Sequence, residues 1–279
     1  MRRGTRAGMS IIGTQSPWRL GVRTAMPPGE PILGIRALPY RAEGQPGMLP
    51  PVAGLVVKAV GIIGARPEWD PASGQTRFTD LPPGPRRIVV TDPERRYLPA
   101  ALMVDVPDRY PLRPTAGGPG IPVPTHPVRR TVLLRPAPGR AIPTGMTAVI
   151  GTLRDAAGRS IALARLAAST DAGLMRVVTW TDEAGGFALL LPDSEAGASP
   201  ATCTLVVHTP TARLAGALAA DPLGALPADL DQQDPDGPHS LFDRRSVATL
   251  APDGTVPAAA PGALPLRPGR TIRWDLLAA

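Results

Sequence analysis

Proline occupies 37 of the 279 positions, about 13% against an ordinary usage of about 5%. Each proline removes a hydrogen bond from a helix interior and a ladder donor from a central strand. These residues must therefore lie in turns, edges and connections, which excludes long helical bundles and doubly wound α/β folds. Wholesale disorder is excluded as well, because 43% of the residues are hydrophobic and only 19% charged. The length suits roughly two domains.

Where the proline falls is more informative than how much there is. Residues 107–143 hold ten prolines, together with Gly117, Gly118 and Gly120, and read as a semi-extended linker. Residues 144–191 hold none. The expected organisation is a flexible basic arm at 1–24, a first β-sandwich module at 25–106, the linker at 107–143, and a second module at 144–279. A loop-rich insertion is expected inside the second at about 209–262.

Within the modules, short apolar runs alternate with turn chemistry. Strands are predicted at Ile32–Leu38, within 51–60, at Thr76–Thr79 and at Arg86–Thr91, with Leu98–Val106 as a strand or short helix. Asp70-Pro71-Ala72-Ser73-Gly74 and Leu81-Pro82-Pro83-Gly84 are the turns between them. In the second region strands are predicted at Thr147–Arg154, Ile161–Ala167, Arg176–Thr181, Phe187–Leu191 and Thr202–His208. One short helical turn around Ala212–Ala220 and a closing strand at Thr271–Trp274 follow, and a short strand is placed near Trp18–Val22. Short strands at this spacing, parted by Gly/Asp turns, signal an all-β sandwich.

Charge is unevenly placed. Residues 1–24 carry five arginines and no acid, residues 25–140 carry 15 basic and 9 acidic residues, and residues 141–279 carry 10 and 14. The net charges are thus +5, +6 and −4, so the N-terminal part favours an anionic partner and the C-terminal part repels one. Every basic residue except Lys58 is arginine, as a GC-rich coding sequence yields.

Candidate chemistry is sparse. One cysteine, Cys203, excludes an internal disulfide and a cysteine zinc site, and its apolar setting reads as a buried, inert thiol. His126, His208 and His239 are scattered, so no multi-histidine metal site is expected. No G-x-S-x-G elbow and no phosphate-binding loop before Lys58 occurs. Asp229, Asp231, Asp234, Asp236 and Gly237 gather carboxylates, but Gln233 breaks the alternation a calcium loop needs, so a solvated loop is expected. The pairs Arg86/Arg87, Arg95/Arg96 and Arg129/Arg130 offer at most one arginine per strand face. They read as edge charges that discourage aggregation rather than as a nucleic-acid stripe. After Met1-Arg2-Arg3 the apolar run Met9–Ile12 is too short for a signal core, and no apolar run is long enough to span a membrane. Cytoplasmic synthesis is expected, with incorporation in a particle.

Both halves carry one further pattern. The first contains Pro51-Val52-Ala53-Gly54-Leu55-Val56-Val57, then Phe78-Thr79-Asp80-Leu81-Pro82-Pro83-Gly84 and Ile88-Val89-Val90. The second contains Gly151-Thr152-Leu153-Arg154-Asp155-Ala156-Ala157-Gly158 and Thr181-Asp182-Glu183-Ala184-Gly185-Gly186-Phe187. This resembles the carboxypeptidase regulatory-like domain, a prealbumin (transthyretin)-like β-sandwich, in two tandem copies. The first copy lacks the TD-x-x-G turn and the second lacks the LPPG turn. Two transthyretin-like enzyme classes do not fit. Tyr97, Tyr110, His126 and His208 lack the close histidine pair of an intradiol dioxygenase iron site, and the ending Trp274–Ala279 is unlike the tail of the urate-pathway hydrolase. The resemblance implies fold and says little about function.

The expected role is a non-enzymatic structural or interaction protein, without cofactor or metal. It would serve as a subunit or accessory component of a larger protein assembly, of which phage tails and contractile injection particles are examples. Its partners would be other protein subunits, including copies of itself. The alternatives are an accessory sandwich that binds carbohydrate or an enzyme, and a nucleic-acid binder acting through the basic arm.

Overall fold

A computed structural model describes residues 31–40, 50–108, 112–115, 118–122, 127–170, 176–191, 202–250, 264–266 and 269–279. The arm at 1–24 and the strand expected near Trp18–Val22 lie outside the described residues. The architecture is all-β with one α-helix.

The first part of the chain forms β1 (Leu33–Pro39), β2 (Val56–Ala59), β3 (Pro67–Asp70), β4 (Gln75–Phe78), β5 (Gly84–Thr91) and β6 (Ala100–Val106). β7 (Leu112–Thr115) and β8 (Gly118–Pro122) pair as a hairpin, and β9 (Val128–Leu134) follows. One sheet has the order β3-β4-β1-β9 and its companion the order β2-β5-β6. Alternation sets the faces: Leu33, Ile35 and Ala37 of β1 are buried, as are Val132 and Leu134 of β9. They share one core with Phe78, Ile88, Val90, Leu102 and Val104. β1 runs antiparallel to β4 and parallel to β9.

The second part forms β10 (Thr147–Asp155), β11 (Arg165–Thr170), β12 (Arg176–Trp180), β13 (Gly186–Leu191), β14 (Thr202–Pro210), then α1 (Ala212–Ala220). It closes with β15 (Phe242–Arg245), β16 (Val247–Leu250), β17 (Leu264–Pro265), β18 (Thr271–Arg273) and β19 (Asp275–Ala278). One sheet has the order β13-β10-β19-β16, with β18 also on β10. The other has the order β12-β11-β14-β15, with β17 on β14. Between them Leu153, Leu166, Phe187, Leu189, Cys203, Val207, Trp274 and Leu276 form a second core.

Three expectations need correction. The segment read as a linker supplies β9, a full strand of the first sheet, as well as the β7–β8 hairpin. Val128–Leu134 is free of proline, and its parallel pairing with a strand far back in the chain leaves no local sequence signature. The loop-rich stretch at 209–262 holds β15 and β16, which join opposite sheets on either side of Ser246. β11 begins at Arg165 rather than Ile161, because Leu163 turns the chain with φ 55°. Leu98–Val106 resolves to a strand, β6.

The helix starts where its sequence permits. Thr211 caps it through Oγ1, which accepts from the Leu214 N–H at 3.5 Å. Leu214 and Leu218, one turn apart, are its buried face.

The turn Asp182–Gly186 shows the logic of its motif. The Asp182 carboxylate accepts from the N–H groups of Ala184 (2.9 Å) and Gly186 (2.7 Å). Gly185 sits at φ +76°, where an added β-carbon would lie 2.6 Å from the Leu153 carbonyl oxygen. Phe187 then enters the core fully buried. Gly185→Ala combines left-handed strain with a backbone clash and is expected to cost about 2–3 kcal/mol. Urea denaturation at constant m-value measures it.

Candidate interaction site: a cleft between the two sheet pairs

The two sheet pairs meet around one arginine. Arg135 follows β9 and is buried. Its Nη1 donates to the Val178 carbonyl of β12 at 2.6 Å, and its Nη2 pairs with Asp231. The guanidinium lies over the Tyr40 ring, 3.1 Å from the centroid, and the Tyr40 hydroxyl accepts from the Val178 N–H at 3.3 Å. A planar fork with a stacking face suits this position, where lysine would offer only a point charge.

A second set of contacts pins the segment after α1 against the outer face of β5 and β6. Arg87 Nη2 donates to the Leu223 carbonyl at 3.0 Å and also to that of Leu226. The Asp229 N–H donates to the Ala101 carbonyl at 2.9 Å, and its carboxylate accepts from the Met103 N–H at 3.1 Å. Beneath these bonds lies a third apolar core that draws Val89, Leu98 and Ala101 from the first part and Leu163, Trp180, Leu214, Leu218 and Phe242 from the second. The Trp180 and Phe242 rings are tilted at 41° with centroids 5.3 Å apart.

Beside this seam opens a cleft of about 1410 Å³, lined by both parts of the chain. Leu133 and Leu223 stand in its walls 39% and 43% exposed. Arg95, Leu163 and Asp229, the non-glycine residues with positive φ among those described, all line it. Left-handed backbone at residues with a β-carbon costs of order 1 kcal/mol each, so the strain of the fold is concentrated here.

The acids nominated by the sequence act as structural clamps. Asp229 and Asp231 hold the seam, and Asp234 accepts from the Asp236 N–H at 3.0 Å. Asp236 meets the ring of buried His208, Nε2 to Oδ1 at 2.9 Å. That bond, with Arg244 and Arg165 nearby, holds the Asp236 carboxyl below its ordinary value. His208 is paired across the strands with Arg165 on β11 and Arg244 on β15. Among the described residues no group of three or more His, Cys, Asp or Glu side chains is placed to hold a metal.

The arginine pairs separate as strand geometry requires. Arg86 turns back to the carbonyls of Pro82 and Pro83, while Arg87 reaches the seam. Arg96 pairs with Asp92 at 2.9 Å, and Arg95 is exposed beside it. Arg129 and Arg130 are exposed on the edge strand β9. Cys203 is buried in the second core and His239 is exposed. Tyr97 is buried, with the Arg140 guanidinium 4.7 Å from its ring centroid. Tyr110 and His126 lie outside the described residues. Sequence reasoning missed Arg135 and Tyr40, which no spacing links. The available signal was an arginine directly after an apolar strand.

The fold and seam define an all-β protein of sandwich type. No family model and no curated protein sequence matches the chain. Among solved structures, a point mutant of the shaft pilin SpaA from Lactobacillus rhamnosus GG aligns at 11% identity, covering 88% of this chain and 97% of the pilin, with a TM-score of 0.21. At that score the likeness carries no argument about fold or role. Among the described residues no helix is long and apolar enough to cross a membrane.

Arg135→Ala leaves the Val178 carbonyl and Asp231 without their partner and is expected to cost about 3 kcal/mol. Calorimetry should then show a lower and less cooperative transition, because only the bonds of Arg87 and Asp229 and the third core still couple the two sheet pairs. Acid should act through Asp92. Burial raises its carboxyl, but the Arg96 side chain and the N–H groups of Glu94 and Arg96 outweigh burial and hold it below 3.8. The folded value is the depressed one, so its contribution is present above about pH 4 and is lost as pH falls through the folded value. Denaturant titrations from pH 6 to 2 should show a shallower loss for Asp92→Asn than for wild type.

Proposed function

We propose that the chain is a non-enzymatic structural or interaction protein, a subunit or accessory component of a larger protein assembly. The carrying observation is the apolar surface at the turn from β2 into β3. Val60 and Ile63 in the turn and Trp69 on β3 are 47%, 103% and 40% exposed. This segment is set on a sheet edge by the Val60 N–H bond to the Arg87 carbonyl at 2.9 Å. Large apolar side chains held in water on an ordered turn and the edge strand it leads into are what interface residues look like before their partner arrives.

The use of the polar groups supports the same reading. His208, Asp229, Asp231 and Asp236 are each engaged in bonds that hold the scaffold. A rigid accessory body needs that arrangement.

The finer proposal is two tandem modules of the carboxypeptidase regulatory-like type. In each part the opening strand lies between an antiparallel partner and a parallel closing strand: β4-β1-β9 in one, β13-β10-β19 in the other. The companion sheets are likewise equivalent, β2-β5-β6 and β11-β14-β15. A turn closed by an aspartate carboxylate precedes β4 and β13, and each strand buries a phenylalanine, Phe78 or Phe187. The copies differ at one edge, where β3 pairs with β4 but β12 pairs with β11. A phage tail or contractile injection particle, assembled from cytoplasmic subunits, is the kind of setting this reading favours.

Light scattering and sedimentation of the full chain test the assembly reading. Burying one large apolar side chain contributes about 1.5–3 kcal/mol, so Ile63→Asp with Trp69→Asp should weaken association at least about tenfold while leaving thermal stability unchanged. Unaltered association and unaltered recovery of partner subunits would remove this surface from the interface.

A further inference from the structure

The cleft has a charge pattern that selects its occupant. Among its lining residues seven are acidic and four basic. Asp231, Asp155 and Asp92 have arginine partners. Asp182 and Glu183 on one wall and Asp229 on the other form no ion pair among the described residues. The Asp182 carboxylate is nonetheless fixed by two backbone N–H groups, and that of Asp229 by one. Three carboxylates without an ion pair, against the one such arginine, Arg95, face a groove that also exposes Leu133 and Leu223. Such a groove suits a chain segment that alternates arginine with large apolar residues.

One segment of this protein has that composition. Residues 1–24 carry five arginines and no acid, with Ile11, Ile12, Trp18 and Leu20 among them. We propose that the cleft receives residues 1–24 of a neighbouring copy. Arginines pair with Asp182, Glu183 and Asp229, and the apolar side chains cover Leu133 and Leu223. The inference rests on the assembly reading above and supplies one of its contacts.

The assembly reading favours a neighbour over the same chain. β1 ends beside the seam, where Tyr40 lies against Arg135. It begins at Leu33, opposite Val128 of β9, whereas the part of β9 that lines the cleft starts at Thr131. β1 has seven residues, and at about 3.3 Å each they carry the chain roughly 23 Å. The described chain therefore begins at the end of the sheet remote from the cleft, and residues 1–24 must cross that span to reach a cleft in their own copy. Exchange of arms between copies makes a heterologous contact, which closes as a ring or continues as a filament.

Cross-linking between tagged copies tests this. One full-length chain carries Arg19→Cys and a second, differently tagged, carries Glu183→Cys; Cys203 is buried and silent toward a bis-maleimide. A cross-linked product bearing both tags is expected. In parallel, Glu183→Lys should weaken self-association about tenfold and flatten its dependence on salt, while Arg129→Glu, exposed on β9 outside the cleft, should leave both unchanged. Glu183 is exposed, and among the described residues its carboxylate forms no ion pair. A chain bearing both cysteines that links only to itself would overturn the exchange between copies. Association that needs residues 1–24 but gives no link to residue 183 would overturn the cleft as receptor and leave the assembly reading intact. A chain that stays monomeric and captures no subunit would overturn both.

Discussion

The fork of Arg135 is the interaction on which the arrangement of the molecule depends. Each sheet pair buries its own apolar core, so each satisfies its internal hydrophobic demand without the other. Holding them in one orientation requires directional bonds, and Arg135 supplies them to a β-strand carbonyl, a carboxylate and an aromatic face together. Burying a guanidinium is costly unless its donors are engaged. That cost makes the contact specific: a displaced β12 or a displaced 229–232 segment would strand a cation in a nonpolar seam. The third core then adds area without needing to specify geometry.

The strained positions follow the same seam. Leu163 holds φ 55° because Thr181 brackets it. The Leu163 N–H donates to the Thr181 carbonyl at 3.1 Å, and the Ala164 N–H donates to the Thr181 hydroxyl at 2.8 Å. Asp229 is fixed on both sides by Ala101 and Met103, and Arg95 follows the Asp92 carboxylate that gathers the N–H groups of Glu94 and Arg96. In each case side-chain or cross-element bonds override a local preference worth about a kilocalorie. The chain accepts this cost where three turns must form one wall.

These features explain which parts were legible in the sequence. Strands β1, β4, β5, β10, β12, β13 and β14 were readable because their apolar alternation and their Gly/Asp turns are local. A short helical turn is legible around Ala212–Ala220, and the structure extends it to a nine-residue helix that Thr211 caps and Asp221-Pro222 ends. β9 was read as linker because its partner β1 lies a whole module earlier and the flanking Pro127 and Pro136 obscured it. β3, β15 and β16 are short edge strands whose pairing, not composition, makes them strands. The seam was not readable at all. Tyr40, Arg87, Arg135, Asp229 and Asp231 have no common spacing, and only the packing of two sheet pairs brings them together.

The acidic loop illustrates how the same letters acquire another meaning. Read alone, Asp229–Asp236 is a set of carboxylates whose register fails for calcium, leaving solvation as its expected fate. In the fold, Asp231 and Asp236 each meet a buried cationic or imidazole side chain, and Asp229 binds a strand edge. A loop with few apolar residues could not hold itself against β6 by burial, so it does so by charge-assisted bonds. The −4 of residues 141–279 is thus partly consumed within the molecule; among the described residues Asp182, Glu183 and Asp229 at the cleft are left without an ion pair, as are Asp221 and Asp234 outside it. Net charge by region pointed to an electrostatic contact between unlike parts, and Asp182, Glu183 and Asp229 at the cleft are the acids proposed above to make it.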